Sequence, residues 1–165
     1  MLFRSLSHHP SIEKSLTCEY TGALSRLQPT TNRSSNIDYE VAVLLSGPEP
    51  QRSYFEEACM NEAKRLNKKT IIVRGVPTEK STTTIANITL VPHLSNDQLS
   101  EVLSQAKYIV CRSGYSTLMD LATLKKSALC IPTPGQTEQI YLANYLAEQH
   151  KIVVQAQGKM DWQEG

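Results

Sequence analysis

The sequence lacks a pair of cysteines at the spacing of a zinc ribbon or a redox motif. Its four cysteines, Cys18, Cys59, Cys111 and Cys130, are scattered and have no histidine-rich partner segment. This pattern excludes the usual zinc-ribbon and thioredoxin-type sites. Cys111 and Cys130 lie inside apolar runs, so we expect them to be buried, reduced thiols of a cytoplasmic protein.

The sequence also lacks an excess of charge of either sign and a long apolar run. It contains 17 basic and 16 acidic residues among 165, which gives a formal net charge of +1. Proteins that bind nucleic acid or anionic membranes usually carry a basic excess, so we expect neither partner. No stretch has the roughly 20 apolar residues of a membrane span, and the first residues lack the apolar stretch of a signal peptide. We therefore expect a cytoplasmic protein with no direct membrane span.

The sequence patterns predict one domain with an arm before it and a tail after it. Residues 1–36 are rich in Ser, Thr, Pro and Asn, which is typical of an interdomain linker, and LTCEYTGAL is the one candidate strand there. From residue 37, short apolar runs alternate with amphipathic stretches, which predicts a domain over 37–158. Residues 159–165 are expected to form a tail.

Apolar runs and amphipathic stretches predict the elements of this domain. Strands are predicted in YEVAVLLSG, KTIIVRG, residues 88–91, KYIVCRSGYS, ALCIPTP and KIVVQ. Helices are predicted over residues 51–66, 96–105, 117–125 and 138–149, with Ser95 as the N-cap of the second. The predicted fold class is α/β, a Rossmann-like, doubly wound parallel sheet of about six strands with helices on both faces.

Ligands of such sheets bind outside the carboxyl ends of the strands, so the loops after the strands are the candidate site. The loop SGPEP follows the first strand. Its Gly47 allows a ligand to approach closely, and the helix N-terminus behind Ser46 and Gly47 favours an anion. The loop lacks the three glycines of a dinucleotide fingerprint and the lysine of a P-loop, so both of those sites are excluded. A tight surface turn is the alternative.

The loop RSGYST, after the fourth strand, is suited to a phosphate. Backbone amides and hydroxyls at a helix N-terminus can hold an anion, and the arginine adds charge. The residues concerned are Arg112, Ser113, Gly114, Tyr115, Ser116 and Thr117. Asp120, one turn into the helix, could accept two hydrogen bonds from a ribose diol. An ordinary helix start with solvated charges is the alternative.

Two further loops are suited to a sugar and to a base. In PTPGQTEQ, Gly135 and two prolines set an irregular backbone, while Glu138 and Gln139 can hydrogen-bond several hydroxyls. In PHLS, His93 could stack on a flat base while the backbone of Leu94 contacts its edge. A helix start and a structural histidine are the respective alternatives. No metal site follows from the histidines.

From about residue 24 to residue 155, the chain resembles the C-terminal donor-binding domain of GT-B glycosyltransferases, of the family 28 type. It is similar to the group that includes the lipid II-forming N-acetylglucosaminyltransferases. The most specific stretch is AKYIVCRSGYSTLMDLATLKKSALCIPTPGQTEQIYLANYL. It is similar to the family's succession of a strand, an Arg-Ser-Gly loop, a helix bearing an acid, a strand ending in proline and an acid- and Gln-rich loop closing on Asn.

This resemblance implies that residues 37–158 form a nucleotide-sugar-binding domain. It implies that Asp120 binds the ribose hydroxyls of UDP, at a position where the family usually has glutamate. The loop 112–117 would face the diphosphate. Ser46 and Gly47 match the first loop of the family, which also faces the phosphates, although SGPEPQ has fewer glycines than the family's form.

The same resemblance implies contacts to the sugar and the base. Glu138 and Gln139 match the segment that contacts the donor sugar, and Asn144 matches the asparagine that closes it. His93 and Leu94 match the uracil-binding turn.

The implied function is the donor-substrate-binding half of a glycosyltransferase, which binds a UDP-sugar, with UDP-N-acetylglucosamine as a candidate, for hexosyl transfer to an acceptor. In this family the acceptor site and the general base lie in an N-terminal domain. The resemblance therefore implies an acceptor-binding domain or subunit as a partner, catalytic residues there, and an isolated chain that is inactive. No metal or cofactor is expected, because helix dipoles and side-chain donors commonly stabilise the leaving diphosphate.

Other functions stay open at this point. A GT-B-type sugar-nucleotide epimerase would need acids and a histidine around the anomeric carbon. A non-catalytic, Rossmann-like interaction module would need no nucleotide. A cysteine hydrolase built on Cys111 is a third alternative, because Cys111 lies near a strand end.

Overall fold

The computed structural model describes residues 23–29, 39–149 and 151–163. Most of the candidate strand LTCEYTGAL lies outside the described residues. The strands are β1 (Val41–Leu44), β2 (Thr70–Val73), β3 (Thr83–Ile85), β4 (Ile88–Val91), β5 (Tyr108–Cys111), β6 (Leu129–Cys130) and β7 (Val153–Val154). The helices are α1 (Gln51–Leu66), α2 (Asn96–Gln105), α3 (Tyr115–Leu124) and α4 (Thr137–Glu148), and residues Gln157–Lys159 form a 3-10 turn.

The described strands form one sheet in the order β3-β4-β2-β1-β5-β6-β7. Every neighbouring pair is parallel except β3 and β4. The Rossmann-like α/β fold predicted from the sequence is confirmed. The additional strand β3 is an antiparallel edge strand that turns into β4 at Ala86, which has a φ of 54°. All three residues of β3 are exposed, so no apolar pattern marked it in the sequence.

The sheet is buried on both faces, as the uninterrupted apolar run of β1 predicts. Val41 and Val43 pack with Phe55 of α1 on one face. Ala42, which points to the other face, belongs to a second apolar cluster with Leu121 of α3 and with residues of α2 and α4. This alternation follows from the two-residue period of a strand. The helices that follow β1 and β5 therefore lie on opposite faces of the sheet.

Packing continues beyond both ends of the predicted domain. Residues 23–29, here called the N-terminal strap, place Leu27 in the cluster of α2, α3 and α4 with no exposed surface. The hydroxyl of Ser100 in α2 donates to the carbonyl of Gln28. Trp162, in the predicted tail, packs on the α1 face and is 6% exposed. The boundaries at residues 37 and 158 stay predictions, but apolar contacts cross both of them.

We expect Leu27→Ala to destabilise the protein strongly if the strap is part of the core. Removal of a buried leucine side chain typically costs about 2–5 kcal/mol of the free energy of unfolding. The matched control is Leu24→Ala, because Leu24 is 71% exposed, and surface substitutions usually change stability by less than about 0.5 kcal/mol. Urea denaturation of the full chain measures both values. Equal effects of the two substitutions would show that the strap is not docked.

Candidate functional site

The topology places a crevice at the carboxyl ends of β1 and β5. β1 is central and pairs with β2 on one side and β5 on the other. The chain leaves β1 toward one face and β5 toward the opposite face, so the two loops diverge at this point of the sheet. Open α/β sheets bind their ligands at such a switch point.

A cavity of about 110 Å³ lies in this crevice. It brings together five of the residues that the sequence predicts for a site: Ser46, His93, Leu94, Thr117 and Asp120. They come from the loops after β1 and β4 and from the first turns of α3. Residues that are far apart in the chain therefore converge because the parallel strands end at one edge of the sheet.

The carboxylate of Asp120 is the acidic group of this cavity, and the strap holds it in place. The hydroxyl of Ser25 donates to Asp120 Oδ1 at 2.6 Å. Arg26 Nε lies 3.7 Å from Asp120 Oδ2, and Arg26 also lines the cavity. Asp120 is 7% exposed. The carboxylate is thus oriented by two strap residues, and Asp120 lines the cavity.

Ser25 and Arg26 are site residues that the sequence reasoning missed. They lie in the segment 1–36, whose composition is typical of a linker, and composition carries no information about the partner of a side chain. The available signal was Leu27 beside them, an apolar residue in a polar segment. Its burial is what positions Ser25 and Arg26 over α3.

The sequence predicts that Arg112 faces a diphosphate. In the structure its side chain is buried and does not line the cavity. Its side chain is 1% exposed and stacks on the ring of Phe55 at 4.1 Å. Its guanidinium donates to the carbonyls of Ile131, Pro132 and Gln51 and to Gln157 Oε1, at 2.7 to 3.2 Å. Burial lowers the pKa of Arg112 to about 10, so it stays charged at neutral pH. The hydrogen bonds of the guanidinium connect the start of α1 to the loop after β6 inside the protein.

Ser113 and Gln139 join the loop after β5 to the loop after β6. The buried hydroxyl of Ser113 donates to the carbonyl of Gln139 at 2.8 Å. The side-chain oxygen of Gln139 accepts from the amide of Thr133 at 2.9 Å, and its nitrogen donates to Gln136. Both side chains were expected to contact the ligand directly. In the structure they hold the two loops together.

At the N-terminus of α1, the carboxylate of Glu49 is bound by the first turn of the helix. The carboxylate of Glu49 accepts from the amide and the hydroxyl of Ser53, at 3.2 and 2.7 Å, and pairs with Arg52. The hydrogen bond from the Ser53 hydroxyl and the charge of Arg52 lower the pKa of Glu49. Gly47 turns the loop with a φ of 98°. A phosphate at this end of α1 would have to displace Glu49.

The N-terminus of α3 is different. Its N-cap is Gly114, which has an extended backbone conformation with a φ of −71° and a ψ of 145°. No side chain accepts a capping hydrogen bond at this position. The first turn of α3 contains no acidic residue, so the positive end of the helix dipole is not neutralised within that turn. Ser116 and Thr117 place hydroxyls in this first turn.

Gly135, Glu138, Asn144 and Tyr115 do not line the cavity. Gly135 turns the loop after β6 with a φ of 83°. Glu138 is exposed in the first turn of α4, and Asn144 is exposed in the same helix further from the sheet edge. Tyr115 is 44% exposed at the start of α3. Tyr115, Glu138 and Asn144 therefore lie in the helices that follow β5 and β6.

The three cysteines in the described part of the chain, Cys59, Cys111 and Cys130, are all buried. Cys111 has no exposed surface, and its Sγ lies 3.8 Å from Cys130 Sγ. The contact with Cys130 and burial raise the pKa of Cys111. A buried thiol with a raised pKa is a poor nucleophile, so the hydrolase alternative is wrong. Within residues 23–29, 39–149 and 151–163, no group of three His, Cys, Asp or Glu residues could hold a metal ion. No helix in that part of the chain is long and apolar enough to span a membrane.

The fold and the crevice define a Rossmann-like domain. Residues 55–162 match the glycosyltransferase family 28 C-terminal domain, and the chain belongs to this family. The resemblance to GT-B donor-binding domains is therefore confirmed. No curated protein sequence matches the chain.

Several solved glycosyltransferases share the fold. SnogD from Streptomyces nogalater is 12% identical, with a TM-score of 0.58 over 79% of this chain and 35% of its own. MurG from Acinetobacter baumannii is 20% identical, with a TM-score of 0.54 over 78% of this chain and 39% of its own. The spinosyn rhamnosyltransferase SpnG, solved with thymidine diphosphate, is 13% identical, with a TM-score of 0.53 over 76% and 34%. The chain thus spans about a third of the length of these proteins.

We expect Arg112→Met to destabilise the protein, because three carbonyls and one side-chain amide lose their donors in the interior. Allowing for the charge that no longer has to be buried, the loss is about 2–4 kcal/mol in the free energy of unfolding. Arg65→Met is the matched control. Arg65 pairs with Glu62 and Asp161 at the surface, and such pairs contribute little. Chemical denaturation compares the two variants. Equal losses would mean that the buried hydrogen bonds of Arg112 do not stabilise the fold.

Proposed function

We propose that the chain is the donor-binding half of a glycosyltransferase and binds the nucleoside diphosphate of a sugar-nucleotide donor. The observation that carries the proposal is the placement of Asp120 in the switch-point cavity, beside His93 and Leu94. A buried carboxylate at this point is suited to the hydroxyls of a nucleoside sugar. Membership of family 28 supports the same function. UDP-N-acetylglucosamine is one donor of this class.

The diphosphate would lie at the start of α3. The dipole of α3 favours an anion there, and the hydroxyls of Ser116 and Thr117 can donate to phosphate oxygens. Arg26 is exposed over the same cavity and supplies a positive charge. The α1 N-terminus is a poorer phosphate site, because Glu49 would repel the ligand.

The base and the sugar would lie on either side of the diphosphate. His93 and Leu94 follow β4 and can contact the base at one end of the cavity. Glu138 lies beyond β6 and is exposed, so its carboxylate is available to sugar hydroxyls. Gly135 allows the backbone of the same loop to approach the sugar closely.

Transfer of the sugar to an acceptor would need a second domain or subunit that binds the acceptor. The part of the chain that matches covers only 35% of SnogD and 39% of MurG. We propose that an acceptor-binding domain or subunit covers the carboxyl edge of the sheet and supplies the general base. The isolated chain would then bind donor without transferring the sugar. The free thiols Cys59, Cys111 and Cys130 support a cytoplasmic location, where cysteines stay reduced.

Asp120→Asn should weaken the binding of UDP by about 1–3 kcal/mol, because the amide accepts fewer and weaker hydrogen bonds from ribose. Calorimetric titration of the full chain measures the dissociation constant. Asp161→Asn is the control, since Asp161 pairs with Arg65 in the last turn of α1, away from the site loop. An unchanged affinity in a folded Asp120→Asn variant would remove Asp120 from the site.

Glu138→Gln should weaken the binding of a UDP-sugar and leave the binding of UDP unchanged. The reason is that Glu138 lies outside the cavity and can reach only the sugar. Glu148→Gln is the matched control, because Glu148 is exposed at the other end of the same helix. Both ligands are titrated into each variant. Equal weakening of UDP and UDP-sugar would contradict the assignment of Glu138 to the sugar.

A further inference from the structure

We propose that the protein has a second ligand site at the amino edge of the sheet, which binds a small apolar anion. The ligand class is an apolar body that carries one carboxylate or phosphate group. The parallel strands β1, β5, β6 and β7 begin at this edge, whereas the Asp120 cavity lies where strands of the sheet end. The two sites do not overlap, so this inference is independent of the proposed function.

A cavity of about 270 Å³ lies at the amino edge, larger than the 110 Å³ cavity beside Asp120. Most of its wall is apolar and comes from the first residues of the strands together with Trp162. Val41, Val110 and Leu129 of this wall belong to the apolar cluster on the α1 face of the sheet. Such a cavity is suited to the apolar part of a small ligand.

The charged side chains that line this cavity are both positive, Lys68 and Lys107. Lys68 Nζ lies 4.6 Å from the centre of the Tyr108 ring, which also lines the cavity, and Lys107 is exposed beside Tyr108 in the chain. Each lysine follows the C-terminal end of a helix, where a positive charge offsets the helix dipole. The dipoles explain the lysines but not the apolar cavity next to them. Together, the cavity and the lysines are complementary to an apolar anion.

Trp162 forms a wall of the cavity that is attached to α1. Its amide donates to Glu62 Oε2 at 3.3 Å, and Asp161 beside it pairs with Arg65 at 2.7 Å. Trp162 Nε1 is buried and has no hydrogen-bond partner among the described residues. A buried donor without an acceptor is unfavourable, and a ligand oxygen that reached this donor would remove that cost.

Trp162 is the single tryptophan of the chain, so its fluorescence reports on this cavity. The full chain is titrated with octanoate, octyl phosphate and octanol, which share one apolar chain and differ in the head group. We expect a saturable change in emission with the anions and about fivefold weaker binding of octanol, the effect of two missing exposed ion pairs. The anion that binds more tightly identifies the head group as carboxylate or phosphate. Amide NMR shifts of Tyr108 and Ile109 provide a second measurement of each titration.

Lys68→Gln combined with Lys107→Gln should lower the affinity for octanoate about fivefold, to the affinity for octanol. The matched control combines Lys64→Gln with Lys80→Gln. It removes the same charge at two exposed lysines that do not line the cavity, so the affinity should not change.

Val153→Glu tests the cavity wall itself. It places a carboxylate beside the ligand, which should weaken the binding of both anions roughly tenfold because like charges repel. Val153 is 39% exposed in the edge strand β7. Ile85→Glu is the matched control, because Ile85 is 44% exposed in β3 at the other edge of the sheet. Thermal unfolding confirms that each variant is folded before titration.

The outcomes separate this inference from the proposed function. A titration with millimolar anions that changes neither the emission nor the NMR shifts would overturn the second site. Equal binding of octanol and the anions to the natural sequence would overturn it, as would unchanged affinity in folded Val153→Glu. UDP is titrated in parallel. Binding of UDP without binding of the anions overturns this inference alone, and the reverse result overturns the proposed function alone.

Discussion

The buried guanidinium of Arg112 is the interaction on which the carboxyl edge of the sheet depends. Moving a positive charge into the interior is unfavourable, and several carbonyl dipoles offset that cost only if they converge on it. The three carbonyls come from the start of α1 and from the segment after β6, so they converge only when these segments have their native positions. The loops around the crevice are therefore held in position by a buried side chain that does not line the cavity.

The strap adds Ser25 and Arg26 to the candidate site. Leu27 contributes apolar burial, and this anchor gives Ser25 and Arg26 their positions beside Asp120. Asp120 would otherwise be a carboxylate with little access to water, which is costly to keep charged. The hydrogen bond from Ser25 and the nearby charge of Arg26 offset that cost.

The sequence predicts the framework of this fold well and the directions of its side chains poorly. Six of the seven strands follow from apolar runs, and α1 and α2 begin and end at the predicted residues, because burial on one or two faces leaves a periodic pattern. Strand β3 was missed because it is exposed. The family motif places Arg112 in a phosphate-facing loop, but a motif does not say that its side chain points into the core. The convergence on Asp120 of residues that are far apart in the chain, such as Ser25 and His93, is likewise set by tertiary packing.

The docking of Leu27 has a consequence for engineering this kind of enzyme. Glycosyltransferases with two halves invite exchange of their donor-binding halves, and a junction chosen at the composition change near residue 36 would leave Leu27 on the other parent. The hybrid would then carry an unfilled apolar groove against α2 and an Asp120 without its two strap partners. A crossover placed before residue 23 would transfer the family 28 domain together with the strap that packs on it.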